Sequence, residues 1–201
     1  MIFLRYEGFR SYLRLYPVTA VIIAINIIVY LLDTWFVSGH ALTERGAMLV
    51  YPGSYYSEDE LWRYVTSVFL HSGFDHLLFN SFAILVFAPP LERLMGSVRY
   101  AFFYLFAGIM GNAFTALFAQ EPTLSVGASG AIYGVYGAFL YLALFKKALD
   151  EASKKTVYTI LAFGVIYSVL IPNINLWAHL GGAVAGFFYI FWYDRILNTR
   201  K

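Results

Sequence analysis

Charged residues are so sparse in this chain that they cut it into long uncharged runs, most of them close to the length a helix needs to cross a bilayer. A transmembrane helix takes roughly 20 apolar residues, because without water every backbone polar group must be satisfied within the segment. The uncharged runs occupy residues 15–32, 76–91, 100–120, 122–145 and 156–178, and a last one ends at 193. Pro172-Asn173-Ile174-Asn175 is a turn signal that separates the fifth run from a short sixth beginning near Leu176. Only 13% of the 201 residues are charged, too few to clothe a water-facing surface. An all-α membrane protein is expected, a six-transmembrane helical bundle built as a single domain over residues 1–201.

Lysines and arginines set the orientation. With the N-terminus inside, 12 of the 14 fall on the inner side, while Asp33, Glu44, Glu58, Asp59, Glu60 and Asp75 gather in or beside the first outer loop. Both termini are therefore expected in the cytoplasm. The first run is longer than a signal-peptide core and is kept as a helix. The large first loop, from about residue 38 to 70, carries Tyr51, Tyr55, Tyr56, Trp62 and Tyr64, amphipathic rings that settle at headgroup depth, so it is expected to lie in the interface.

Several chemistries are excluded. The cysteine count of 0 removes disulfides, thiolate metal sites and cysteine nucleophiles. A net charge of +2, scattered over short loops, does not suit a nucleic-acid partner. There is no His-Glu-x-x-His metal motif, and Asp33, Asp75 and Asp194 lie at span ends rather than as a buried pair. No cofactor or metal is expected.

Polar side chains inside spans are costly, and those that remain are functional candidates. Asn26, Asn112, Thr115 and Ser168 are read as interhelical hydrogen-bonding groups, without a further role. The segment from Gly127 to Gly134 differs, because it sets Ser129 between glycines at the start of a span. Gly127, Gly130, Gly134 and Gly137 form one stripe, and Tyr133 follows Ser129 by one turn. In the last span His179, Gly182, Ala183 and Gly186 make a second small-residue face. Two such faces in contact would bring the His179 imidazole to the Ser129 hydroxyl, the arrangement of a base-activated nucleophile. His76 and Asn80, one turn apart, could join the unpaired N–H groups near Ser129 in holding an anion.

These residues resemble the rhomboid intramembrane serine proteases over essentially the whole chain. The resemblance rests on Gly127, Ser129 and Gly130 with Tyr133 after them, and on Ala178-His179-Leu180-Gly181-Gly182 followed by Gly186. It extends to His71, His76 and Asn80, to the Trp62-Arg63 pair, and to the spacing from Glu92 to Gly96. It implies Ser129 as nucleophile, His179 as general base stacked on Tyr133, and His76, Asn80 and the Ser129 N–H as oxyanion hole. One departure is Ala88 followed by Pro89-Pro90, where the family usually has glycine, which bears on the local turn geometry.

The expected activity is endopeptidase cleavage in or near the transmembrane segment of a single-span membrane protein, with membrane lipid as the other partner and no oligomeric state assigned. A non-proteolytic module of the same fold is the alternative, distinguished by loss of the dyad residues. A transporter or proton channel would favour inverted repeats and charges deep within spans, and neither occurs. A prokaryotic plasma membrane is the expected location.

Overall fold

The computed structural model describes residues 2–4, 6–52, 59–146, 148–172 and 174–198; Tyr55, Tyr56, Glu58 and Asn173 lie outside them. The short helix α1 (Phe9–Leu15) leads into α2 (Pro17–Leu31), which opens on Pro17 at a position where a missing N–H costs nothing. The next N–H groups, of Val18 and Thr19, have no acceptor within their own helix and donate to the Glu92 carboxylate at 3.0 and 2.8 Å. Glu92 lies in α5 (Phe74–Met95), is 1% exposed, and also accepts from Thr19 Oγ1 at 2.6 Å and Ser97 Oγ at 2.7 Å. A buried negative charge is tolerable there because it meets a helix N-terminus and four donors at once.

Pro89 and Pro90 make no turn, which corrects the geometry that the sequence left open. They lie inside α5, which runs unbroken to Met95 and stops at Gly96, at φ +79°. A proline at 89 leaves the Leu85 carbonyl without its helical donor, and Tyr12 Oη supplies one at 3.0 Å.

Three further long helices follow α6 (Ser97–Phe118): α7 (Ser129–Phe145), α8 (Glu151–Leu170) and α9 (Leu176–Asn198). The centre is α7, with 13 of its 17 residues buried and apolar side chains on all sides. It packs against α9 with almost no space between backbones. A Cβ on Gly182 or Gly186 would fall on the carbonyl of Gly130 or Gly134, and one on Gly137 would strike the carbonyl of Ala183. At the periphery the pattern inverts: Phe79, Phe102, Leu117, Phe163, Leu170 and Trp192 are 63–72% exposed. Apolar surface this extensive belongs in hydrocarbon. Pro17–Phe36, Phe74–Met95 and Ser97–Phe118 are each long and apolar enough to cross a bilayer.

Helix ends depart from the uncharged runs for identifiable reasons. The fourth run begins at 122, but residues 123–125 form β2 (Thr123–Ser125), and the helix starts only at Ser129. The partner of β2 is β1 (Met48–Val50) in the first loop, antiparallel with Met48 opposite Ser125 and Val50 opposite Thr123. This small ladder is an addition to the all-helical expectation. The fifth helix starts at Glu151 rather than 156, because Asp150 caps it by accepting from Ser153 N and Oγ. Those bonds hold the exposed Asp150 carboxyl down to about 2. The last helix is 23 residues long rather than short, passing through Asp194, which is paired with Lys146 Nζ at 2.6 Å and accepts from Tyr141 Oη at 3.0 Å.

The first loop also contains α3 (Ala41–Gly46) and α4 (Arg63–Thr66). Arg63 is buried and donates to the carbonyls of Glu44 at 3.0 Å and Ala47 at 2.8 Å, with the Glu60 carboxylate as its ion partner. Trp62 Nε1 donates to the Arg45 carbonyl at 3.1 Å, and Asn112 Nδ2 of α6 ties the loop down through Tyr64 O and Ser67 Oγ, both at 2.8 Å.

Replacing Glu92 by Ala strands buried donors at the start of α2. The expected loss of unfolding free energy is on the order of 3 kcal/mol, read as an earlier midpoint when detergent-solubilised protein is titrated with SDS.

Candidate active site

Three helices meet backbone to backbone at one point. A Cβ on Gly111 of α6 would lie 2.7 Å from the Ala178 carbonyl and 3.4 Å from Gly130 Cα. Gly130 follows Ser129, and Ala178 precedes His179, so glycine contact delivers the neighbours of both residues to the same place. Ser129 is the first residue of α7, where the leading N–H groups have no intrahelical acceptor.

His179 is 8% exposed, and its ring lies flat on Tyr133, with centroids 4.0 Å apart and planes within 7°. Its Nδ1 is 2.7 Å from Ser168 Oγ of α8. No hydrogen bond joins His179 to Ser129 in this arrangement. The start of α9 is capped by Asn175 instead, whose Oδ1 accepts from Ala178 N at 3.0 Å. Asn175 Nδ2 also donates to Thr115 Oγ1 and Ser125 Oγ, both at 2.9 Å.

The loop before Ser129 turns at Gly127, whose φ of +130° is open to glycine but strained for any residue with a side chain. Its N–H donates to Ser67 O at 2.9 Å. A Cβ on Gly127 would lie 2.7 Å from His76 Cε1 and Nε2 and 3.5 Å from Asn80 Nδ2. The absent side chain is thus what lets His76 close over the loop leading to Ser129, with Asn80 beside it. Ser72 Oγ holds His76 Nδ1 at 3.1 Å. Asn80 is buried, and its Nδ2 has no acceptor among the described residues. His71 sits just outside α5, its ring 5.2 Å from that of His76, and burial beside that histidine holds it down to about 3, so it is neutral at physiological pH.

The structure therefore gathers Gly127, Ser129, Gly130, Tyr133, His71, His76, Asn80, His179 and Gly182 at one end of the bundle. Gly186 lies deeper along the α7–α9 seam, Trp62 and Arg63 brace the loop, and Glu92 works elsewhere, at the start of α2. Two residues at the site were missed as participants. The sequence suggests for Ser168 only an interhelical hydrogen bond, and its partner, eleven residues on, is not at a spacing that any helical period singles out. Asn175 is legible in the sequence: an Asn directly before an apolar helix is a cap signal.

Residues 58–195 match the family model of the rhomboid domain. The chain is 38% identical over 190 residues to the Bacillus subtilis (strain 168) protein named "Putative rhomboid protease YdcA", covering 94% of each. It is 37% identical over 133 residues to rhomboid protease GluP of the same bacterium, covering 66% of this chain and 26% of GluP. To the Arabidopsis thaliana protein named "RHOMBOID-like protein 6, mitochondrial" it is 36% identical over 134 residues, covering 64% of this chain and 42% of that one. With the family model spanning more than half its length and a relative matched nearly end to end, the chain belongs to the rhomboid family of membrane-embedded proteins.

Proposed function

We propose that this rhomboid is an intramembrane serine endopeptidase acting through Ser129 and His179. The observation that carries the reading is the His179 ring stacked on Tyr133, one helical turn beyond Ser129, at a seam where Gly130 and Gly182 leave no side chain between α7 and α9. Stacking can fix an imidazole where no carboxylate does so. The unformed Ser129–His179 bond is compatible with this role, since catalytic hydrogen bonds often tighten only when substrate binds.

In the proposed cycle Ser129 Oγ attacks the scissile carbonyl while His179 Nε2 takes its proton. The carbonyl oxygen becomes the oxyanion, met by the free Ser129 N–H, by Asn80 Nδ2 and by His76. His179 then returns the proton to the departing amine as the C–N bond breaks, leaving an acyl-enzyme on Ser129. Water adds to the ester with His179 again as base, releasing the carboxylate and restoring the hydroxyl.

The remaining parts of the reading follow. α7, α8 and α9 join the three apolar helices as crossings, giving six spans, with both termini cytoplasmic by the Lys/Arg distribution. The first loop lies in the interface, supported by the outward-facing Tyr51, Leu61 and Trp62. Substrates are single-span membrane proteins whose helix unwinds near the cut, because an intact helix hides its carbonyls. A prokaryotic plasma membrane is the proposed site of action. A non-proteolytic module would need neither the stacked histidine nor the unpaired Asn80 amide.

The test is cleavage of a panel of single-span substrates by purified protein, alongside labelling by a serine-directed phosphonate. Ser129→Ala and His179→Ala should each lower cleavage by about 10⁴-fold or more, and Ser129→Ala should abolish labelling; equal cleavage by wild type and Ser129→Ala refutes the reading. Asn80→Ala should cost about 100-fold in kcat with little change in unfolding midpoint. Gly127→Ala, which forces a side chain against His76, should cost a similar factor.

A further inference from the structure

Ser168 stands at a point where only one arrangement of hydrogens satisfies every short contact. Its Oγ is 2.7 Å from the Gly164 carbonyl oxygen in the preceding turn of α8 and 2.7 Å from His179 Nδ1. Two oxygens that close repel unless a hydrogen lies between them, and a serine hydroxyl has one hydrogen to give. That hydrogen goes to Gly164, so towards His179 the hydroxyl can only accept, and Nδ1 must carry the ring proton. The other ring nitrogen, Nε2, is then the basic one. Gly164 contributes a second time: a Cβ there would fall on the phenol oxygen of Tyr133, so the absent side chain leaves room for the ring on which His179 lies. Only Ser153, Val157 and Ser168 are buried along α8, and Ser168 is 5% exposed.

We infer that Ser168, backed by the Gly164 carbonyl, is a positioning residue that fixes His179 in its Nδ1–H tautomer and steadies the imidazolium formed in each proton transfer, the part a carboxylate plays in three-residue serine hydrolases. This rests on the protease reading above. Ser168 acts through His179 and does not touch the peptide. As the imidazole gains a proton on Nε2, the Nδ1–H to Oγ bond becomes charge-assisted and strengthens, so its contribution falls on the transition state rather than on substrate binding.

The experiment combines kinetics with ¹⁵N NMR of histidine-labelled, detergent-solubilised protein, the His179 signals being assigned by their absence from His179→Gln. Wild type should show a protonated Nδ1 and an unprotonated Nε2. Ser168→Ala should lose that preference and show kcat lower by about 10- to 100-fold, the range for a hydrogen bond to a charged group, with KM unchanged. Ser168→Thr, which keeps a hydroxyl able to bond the preceding turn, should restore both. Ser168→Ala with unaltered tautomer overturns the inference, whether or not its rate falls, because a rate loss alone would then reflect packing. A Ser129→Ala variant that still cleaves sinks the protease reading and this role with it. Loss of cleavage in Ser129→Ala beside an unchanged Ser168→Ala sinks the positioning role alone.

Discussion

The approach of α7 to α9 without intervening side chains is the constraint on which the rest of the molecule depends. Gly137, Gly182 and Gly186 each sit where a Cβ would meet a carbonyl of the facing helix, so the two backbones are as near as helices can come. In a membrane the hydrophobic effect does not drive helices together, and close packing by small residues takes its place. That seam sets the height of Ala178 against Gly130, and through them the relation of the His179 ring to Ser129. It also explains why α7 is buried nearly all round: a helix with a partner at backbone distance has little surface left for lipid.

Around that seam, polar groups are handled in closed sets. Glu92 takes loose donors of α2, Asp150 one of α8 and Asn175 one of α9, so each of these three helix starts is met by one carboxylate or amide, while the start of α7 has no side-chain cap. Arg63 and Asn112 do the same for the loop, exhausting carbonyls that would otherwise face an apolar medium. Asn80 Nδ2 is one of several buried side-chain atoms left without a partner among the described residues, with those of Asn26, His71, Ser81, Tyr100 and Tyr104, and it lies against Gly127. A buried donor without an acceptor is costly, and its position next to Gly127 is where an anion would compensate.

Much of this was legible in the sequence, and the remainder was not for physical reasons. Uncharged runs located the helices because charge is what a bilayer excludes, but they misplaced ends wherever a charge was neutralised locally, as at Asp194 beside Lys146. The glycine faces and the Ser129, Tyr133 and His179 positions could be read because helical period alone decides which residues share a side. The four donors on Glu92 could not, since they join positions up to 74 residues apart. Pro89 and Pro90 misled in the other direction: a broken helix is the local expectation, and the remedy, Tyr12 Oη on the Leu85 carbonyl, comes from a distant part of the chain.

The pairing of β1 with β2 has a consequence for how chains of this kind can vary in length. One strand belongs to the large loop and the other ends at Ser125, four positions before Ser129. Strand pairing is quantised in steps of one residue, and each step turns every side chain to the opposite face. Residues added between β1 and α4 can bulge outward without disturbing the ladder. One added between Ser125 and Ser129 would either slip the ladder or rotate the serine by about 100° around the helix, away from the imidazole. Insertions should therefore be tolerated after β1 and excluded between β2 and α7.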